Sequence, residues 1–108
     1  MEQEFSEKNG WIVITFRGDI DFNSSPDARK VLLAAVARER DLLVDLTAVT
    51  YIDSSGIACL IEAYQGAKAK DRRFALVGIG GAVMRVLKLA HLDRVFTIHP
   101  TLADAGYR

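Results

Sequence analysis

The feature that most constrains the fold is a short apolar run at residues 42–46, where four of the five residues are aliphatic. A strand with one face in water alternates apolar and polar residues, whereas a strand covered on both faces is apolar at almost every position. Covered strands of this kind are typical of parallel pairing, in which helices connect the strands and pack against the sheet. The run therefore predicts a layered α/β fold.

The rest of the chain alternates between strand patterns and helix patterns. Asn9-Gly10 is typical of a two-residue hairpin turn, which predicts that the first two strands are antiparallel. The expected architecture is α/β, with a mixed β-sheet that starts with an antiparallel hairpin and continues with alternating helices and strands. Strands are predicted at 2–6, 11–21, 42–46, 74–77 and 95–98. Helices are predicted across 26–36 with Ser25 as N-cap, from Asp53 or Ser54 to about Lys70, and across 83–90. A connection is expected at 47–52 and a last helical turn at 101–105.

The composition narrows the classes of function. Fourteen Lys and Arg residues balance fourteen Asp and Glu residues, so the chain lacks the basic surplus that nucleic-acid binding needs. The longest run without a charge, residues 74–84, is too short to span a membrane. The chain has one cysteine, Cys59, so we expect no internal disulfide. Its two histidines, His91 and His99, have no Cys or carboxylate at ligand spacing, so we expect no metal site. We therefore expect residues 1–108 to form one soluble, cytoplasmic domain without metal, cofactor, nucleic-acid partner or membrane insertion.

The segment that carries functional information follows the buried strand. Asp53-Ser54-Ser55-Gly56-Ile57 leads from a polar loop into a predicted helix N-terminus. The structural interpretation is that Asp and Ser side chains cap the free N–H groups of that helix. The functional interpretation is that an exposed hydroxyl near the positive helix end accepts and holds a phosphoryl group. In that case Gly56 would let the backbone of another protein approach closely.

This segment resembles the signature of the STAS domain, above all that of bacterial anti-sigma factor antagonists, in which Asp-Ser-Ser/Thr/Ala-Gly-Leu/Ile opens a helix. Residues 18–21, Gly-Asp-Ile-Asp, are similar to the family's Gly-x-Leu/Ile-Asp, and residues 86–96 are similar to its C-terminal half. The matching elements follow the family's order over nearly the whole chain. One departure is Ala58, where the antagonists often have Gly, a change that bears on the fit to a partner.

The resemblance implies a regulatory switch that is a substrate and not an enzyme. Ser54 would be the phosphoacceptor, while Ser55 would cap the helix. The unmodified protein would bind an anti-sigma factor that is itself a serine kinase of the histidine-kinase-like ATPase class, and the sigma factor would go free. Phosphorylation would separate the pair, and a serine phosphatase would reset the cycle. The residues expected to form the partner-binding surface are Asp19, Asp21, Asp53, Ser54, Ser55, Gly56 and Ile57.

Two alternative functions stay open at this point. Some stand-alone STAS domains are non-switching accessory subunits of lipid-transport ABC systems. Thr or Ala at the acceptor position would favour that role, whereas this chain has Ser54. The other alternative is a small nucleotide-binding or hydrolytic protein. Gly78-x-Gly80-Gly81 lacks the last glycine of a dinucleotide loop, and Ile52 replaces the first glycine of a Gly-x-Ser-x-Gly elbow, so both patterns are incomplete.

Overall fold

The computed structural model describes residues 1–105, and within them the sequence forms five strands and three helices. The sheet order is β1-β2-β3-β4-β5, with β1 antiparallel to β2 and every later pair parallel. The predicted mixed sheet with alternating helices is confirmed. The elements are β1 (Glu2–Lys8), β2 (Trp11–Ile20), α1 (Ser25–Val36), β3 (Asp41–Ile52), α2 (Ser54–Ala69), β4 (Phe74–Val77), α3 (Gly81–Leu89) and β5 (Thr97–His99).

The hairpin between β1 and β2 follows from the conformations of its two turn residues. Asn9 has a φ of 54° and Gly10 a φ of 85°, so both adopt the left-handed region that a tight hairpin turn requires. The two strands then pair from Lys8 and Trp11 out to Glu2 and Arg17. The predicted antiparallel start of the sheet is thereby confirmed.

The strand β3 is longer than the sequence predicted. Residues 47–52 were expected to be a connection, and this was wrong, because they continue β3 and pair with the second half of β2. Pairing continues past two shifts of register, one of which adjoins Gly18 with its φ of 87°. Val49 and Ile52 face the core, while the residues between them are exposed. This extension brings the ends of β2 and β3 to the same place.

The last strand is shorter than predicted. The N–H groups of Val95 and Phe96 donate to the carbonyl oxygen of Leu92, at 3.0 and 3.1 Å, and close a turn. The strand expected at 95–98 therefore begins only at Thr97. Phe96 still contributes to the core, because the turn points its ring inward and leaves it 4% exposed.

Apolar side chains cover both faces of the central strands, as residues 42–46 predicted. All three helices contribute to the core on one face, where Leu42, Val44 and Leu46 of β3 are fully buried. The opposite face buries Leu43 together with apolar residues of β2 and β4, and residues near the C-terminal turn pack against it. The members of this second cluster are Trp11, Val13, Leu43, Ala75 and Val77, with Leu102 and Ala105 packed on them.

Neither a membrane-spanning helix nor a cluster of metal-ligating side chains is found in the described part of the chain. No helix within residues 1–105 is both long and apolar enough to cross a bilayer. The same residues bring together no group of three His, Cys, Asp or Glu side chains that could hold a metal ion.

Candidate functional site

The candidate site lies where β2 and β3 end side by side at the carboxyl edge of the sheet. Ile20 and Ile52, the last residues of these strands, are register partners. The N–H group of Asp53 donates to the carbonyl oxygen of Ile20 at 3.3 Å. The loop after β2 and the loop before α2 therefore meet, as the resemblance implied.

Asp53 holds this edge together through both oxygens of its carboxylate. The Oδ1 atom accepts hydrogen bonds from the N–H groups of Ser55 at 2.9 Å and Gly56 at 3.2 Å, and so caps the N-terminus of α2. The Oδ2 atom accepts a hydrogen bond from the N–H group of Phe22 at 3.0 Å, in the loop after β2. A single side chain thus starts the helix and ties the neighbouring loop to it.

The expectation that Ser55 caps this helix was wrong. A capping residue stands just before the first helical residue, with an extended backbone that lets its side chain turn back toward the helix. Asp53 meets that condition, with a φ of −109° and a ψ of −173°, whereas Ser55 is already the second residue of α2. Ser55 is half-buried and lines a groove between α1 and α2, which Cys59 also lines.

Ser54 is the first residue of α2, and its side chain is exposed. Within residues 1–105 its hydroxyl group makes no hydrogen bond to the protein. The backbone beneath it is fixed, because the Asp53 carboxylate holds the first turn of the helix. The exposed Ser54 hydroxyl is therefore carried by a well-fixed stretch of backbone near the positive end of a helix.

Asp21 organises the loop after β2. Its Oδ1 atom accepts hydrogen bonds from the N–H groups of Asn23 and Ser24, both at 3.0 Å. The N–H group of Ser24 contributes most to lowering the pKa of Asp21 below its ordinary value. The N-cap of α1 is Ser24 and not Ser25 as predicted, because the turn built on Asp21 starts the helix one residue earlier. Asp21 is therefore a half-buried structural acceptor as well as an acidic group of the site.

Asp19 completes the acidic edge from the end of β2. Its carboxylate is exposed and accepts a hydrogen bond from the hydroxyl of Thr50 on β3 at 2.8 Å. The structure thus places Asp19 near the end of β2, Asp21 in the loop that follows β2, and Asp53 immediately before Ser54. Three acidic side chains and the exposed Ser54 hydroxyl therefore lie at the same edge of the sheet.

Gly56 and Ile57 lie beneath this surface and are buried. A Cβ atom on Gly56 would lie 2.6 Å from Cγ1 of Ile52 and 2.7 Å from the carbonyl oxygen of Ile20. The space left by the missing side chain is therefore filled by the same chain, and the expected close approach of another protein's backbone at this glycine was wrong. Both residues seat the first turn of α2 on the ends of β2 and β3.

One exposed residue of the site was missed from the sequence. Phe22 follows Asp21, and its side chain is 77% exposed although it is a large aromatic group. Its position in the sequence indicates an exposed side chain, because this aromatic residue stands among polar loop residues and belongs to no apolar stripe of a helix or strand. Its N–H group donates to Asp53, so the backbone of this residue lies beside the start of α2.

The glycine-rich turn after β4 serves packing. Gly78 has a φ of 71°, and a Cβ atom on it would overlap the side chain of Thr47. Its N–H group donates to the carbonyl oxygen of His99 at 3.0 Å. The glycine is needed for this close contact between β3 and the turn after β4.

Cys59 carries a buried thiol. It is 6% exposed, and its Sγ atom lies 3.4 Å from the carbonyl oxygen of Ser25, so it sits between α1 and α2. Burial raises the pKa of the Cys59 thiol, which keeps it in the protonated and unreactive form.

Comparison with known proteins agrees with this geometry. The chain matches the family model of the STAS domain over residues 2–105, and it belongs to that family. An anti-sigma factor antagonist from Mycobacterium paratuberculosis, solved by crystallography, superposes with a TM-score of 0.90 at 31% identity, over 96% of this chain and 89% of that one.

Relatives of similar length carry related names. The anti-sigma-F factor antagonist RsfB of Mycobacterium tuberculosis is 28% identical over 101 residues, which is 93% of this chain and 82% of the relative. The anti-sigma-B factor antagonist of Listeria monocytogenes is 26% identical over 88 residues, which is 81% of this chain and 77% of the relative. The match thus extends over most of each protein.

Proposed function

We propose that this protein is an anti-sigma factor antagonist that works by partner switching. While Ser54 is unmodified, the protein binds an anti-sigma factor that is a serine kinase, and phosphorylation of Ser54 releases it. The observation that carries the proposal is the Ser54 hydroxyl, exposed and without a hydrogen bond within residues 1–105, on the first turn of a helix that Asp53 anchors. The names of the relatives support the same class of function.

The choice of Ser54 over Ser55 rests on access. A kinase must bring the γ-phosphate of ATP to within bonding distance of the acceptor oxygen, and Ser54 is exposed whereas Ser55 is half-buried. In the transfer, the Oγ atom of Ser54 bonds to the γ-phosphorus and the bond from that phosphorus to ADP breaks. The hydroxyl proton passes to a base that the kinase supplies.

Release follows from the charge that surrounds the acceptor. A phosphoryl group adds roughly −1.5 to −2 charges at neutral pH. Asp53 directly precedes the acceptor, and Asp19 and Asp21 lie at the same edge of the sheet. Arg29 on α1 is held by both oxygens of Glu62 on α2, at 2.7 and 2.9 Å. An interface closed over Ser54 would bury the phosphate beside acidic groups while this guanidinium stays paired with Glu62, which is costly.

The protein is in this account a substrate and a switch, with no catalytic group of its own. A serine phosphatase would hydrolyse the phosphoserine and restore the binding form. The cycle would take place in the cytoplasm, where sigma factors act.

Mass spectrometry after incubation with the cognate kinase and Mg-ATP tests the proposal. We expect one phosphate on Ser54, which Ser54→Ala abolishes. The neighbouring variant Ser55→Ala is the matched control and should be phosphorylated like the wild type. A phosphate mapped to Ser55, with Ser54 unmodified, would overturn the assignment.

A further inference from the structure

The surface beside Ser54 carries an aromatic ring that the fold does not use. The side chain of Phe22 is 77% exposed, so it contributes little to the buried apolar area that stabilises the domain. A single exposed apolar side chain is common on protein surfaces, but burial of an aromatic ring in a partner's pocket is strongly favourable where a partner closes over the surface that carries it. The question is therefore which partner covers the ring.

The ring is mounted on a fixed backbone. The N–H group of Phe22 donates to Oδ2 of Asp53 at 3.0 Å, and its carbonyl oxygen accepts from the hydroxyl of Ser25 at 3.4 Å. The next two N–H groups along the chain bond to the carboxylate of Asp21. A loop backbone held in this way loses little conformational entropy when a partner binds it.

The same hydrogen bond places the backbone of Phe22 beside the helix start that carries the acceptor. Asp53 bonds to Phe22 with one oxygen and caps the helix that begins with Ser54 with the other. A protein that closes over the Ser54 hydroxyl therefore also covers the loop that carries the ring. The exposed carboxylate of Asp19 adds negative charge to the border of this surface.

We propose that Phe22 is the aromatic anchor through which this chain binds the kinase that phosphorylates Ser54. This inference rests on the proposed function. The kinase would offer an apolar pocket beside its acceptor cleft, with basic groups at the rim to meet the acidic edge. Release on phosphorylation would then withdraw the ring from that pocket.

Calorimetric titration tests the anchor. The probes are the purified anti-sigma factor kinases encoded in the same genome as this chain, each loaded with Mg-ADP. Phe22→Ala should weaken binding to the cognate kinase at least about 30-fold, the loss typical of an interface hot spot. Phe22→Tyr should keep most of the affinity, because the ring remains.

Leu89→Ala is the matched control. Leu89 is 78% exposed, as exposed as Phe22, but it ends α3. Because β4 and β5 are parallel, α3 must return the chain to the amino edge of the sheet, away from Ser54. Leu89→Ala should bind the kinase like the wild type, and all three variants should melt at nearly the wild-type temperature, since both side chains are exposed.

The outcomes separate this inference from the proposed function. If the wild type binds a kinase and Phe22→Ala binds it equally well, the anchor is wrong while the switch stands. If the wild type binds none of the kinases, both proposals fall. If Phe22→Ala converts a dimer of the free protein into a monomer and leaves kinase affinity unchanged, the ring covers a second copy of the chain and the anchor is overturned.

Discussion

A methyl group added at Gly56 tests how tightly α2 is seated on the two strand ends. The new Cβ atom would lie 2.7 Å from the carbonyl oxygen of Ile20 and 2.6 Å from Cγ1 of Ile52. A normal separation of about 3.5 Å requires the helix and the strand end to move apart by roughly 0.8 Å. The Ile20 carbonyl cannot move easily, because it accepts the N–H group of Asp53.

The expected cost of Gly56→Ala follows from two opposing terms. Overpacking against a fixed backbone atom costs about 3 kcal/mol, the upper end of the usual range. Alanine is the better helix former and recovers about 1 kcal/mol of that. The net loss is about 2 kcal/mol in the free energy of unfolding, or roughly 10 °C in melting temperature for a domain of this size.

Gly66→Ala makes the same change ten residues later in α2 and serves as the control. Its Cβ atom would lie 3.0 Å from Cγ1 of Val36, a side-chain methyl group that can shift. The gain in helix propensity should offset the strain, which leaves the stability within about 0.5 kcal/mol of the wild type.

Urea denaturation of the two variants and the wild type measures the difference. We expect Gly56→Ala to unfold at clearly lower urea than Gly66→Ala, with the same dependence on denaturant. Equal midpoints for the two variants would refute the close contact between α2 and Ile20, and with it the account of how Ser54 is positioned.

Two further predictions concern the carboxylates that brace the loops. Asp53→Ala should lower the free energy of unfolding by about 2 kcal/mol in urea denaturation, because both the helix cap and the tie to Phe22 are lost; a change below about 0.5 kcal/mol would show that neither matters. Asp21→Ala should lower the melting temperature most at pH 7. The pKa of Asp21 is lowered in the folded state, so its carboxylate stabilises the fold above the ordinary pKa of 3.8. That stabilisation is lost as the pH falls through the lower pKa of the folded state. The difference in melting temperature between this variant and the wild type should therefore be largest at pH 7 and should shrink in acid, and a deficit that is the same at every pH would contradict the role of the charge.

Much of the fold could be predicted because local patterns and tertiary structure agree. Asn9-Gly10 has the backbone freedom of a hairpin turn, and residues 42–46 are apolar on both faces because both faces are covered. Residues 47–52 misled the prediction because only one face of this extension is buried and the irregular register with β2 disturbs the alternation. Polar residues in such a strand look like a loop.

The site was predictable in position but less so in detail. The segment that starts at Asp53 was assigned to a helix N-terminus, and the structure places it there. Asp and Ser are both good caps, so the choice between Asp53 and Ser55 depended on where the helix begins. The sequence shows that Gly56 lacks a side chain, but only the structure shows that Ile20 and Ile52 fill the space.

The most direct test of the account is the affinity of the kinase for two forms of this protein, unmodified and phosphorylated on Ser54. Both forms can be prepared on the Ser55→Ala background, which confines the phosphate to one of the two neighbouring serines, and titrated against the Mg-ADP-loaded kinase. We expect the unmodified form to bind at least about 100-fold more tightly, because the phosphate adds negative charge to an interface that already carries acidic groups. Equal affinity of the two forms would contradict partner switching at Ser54.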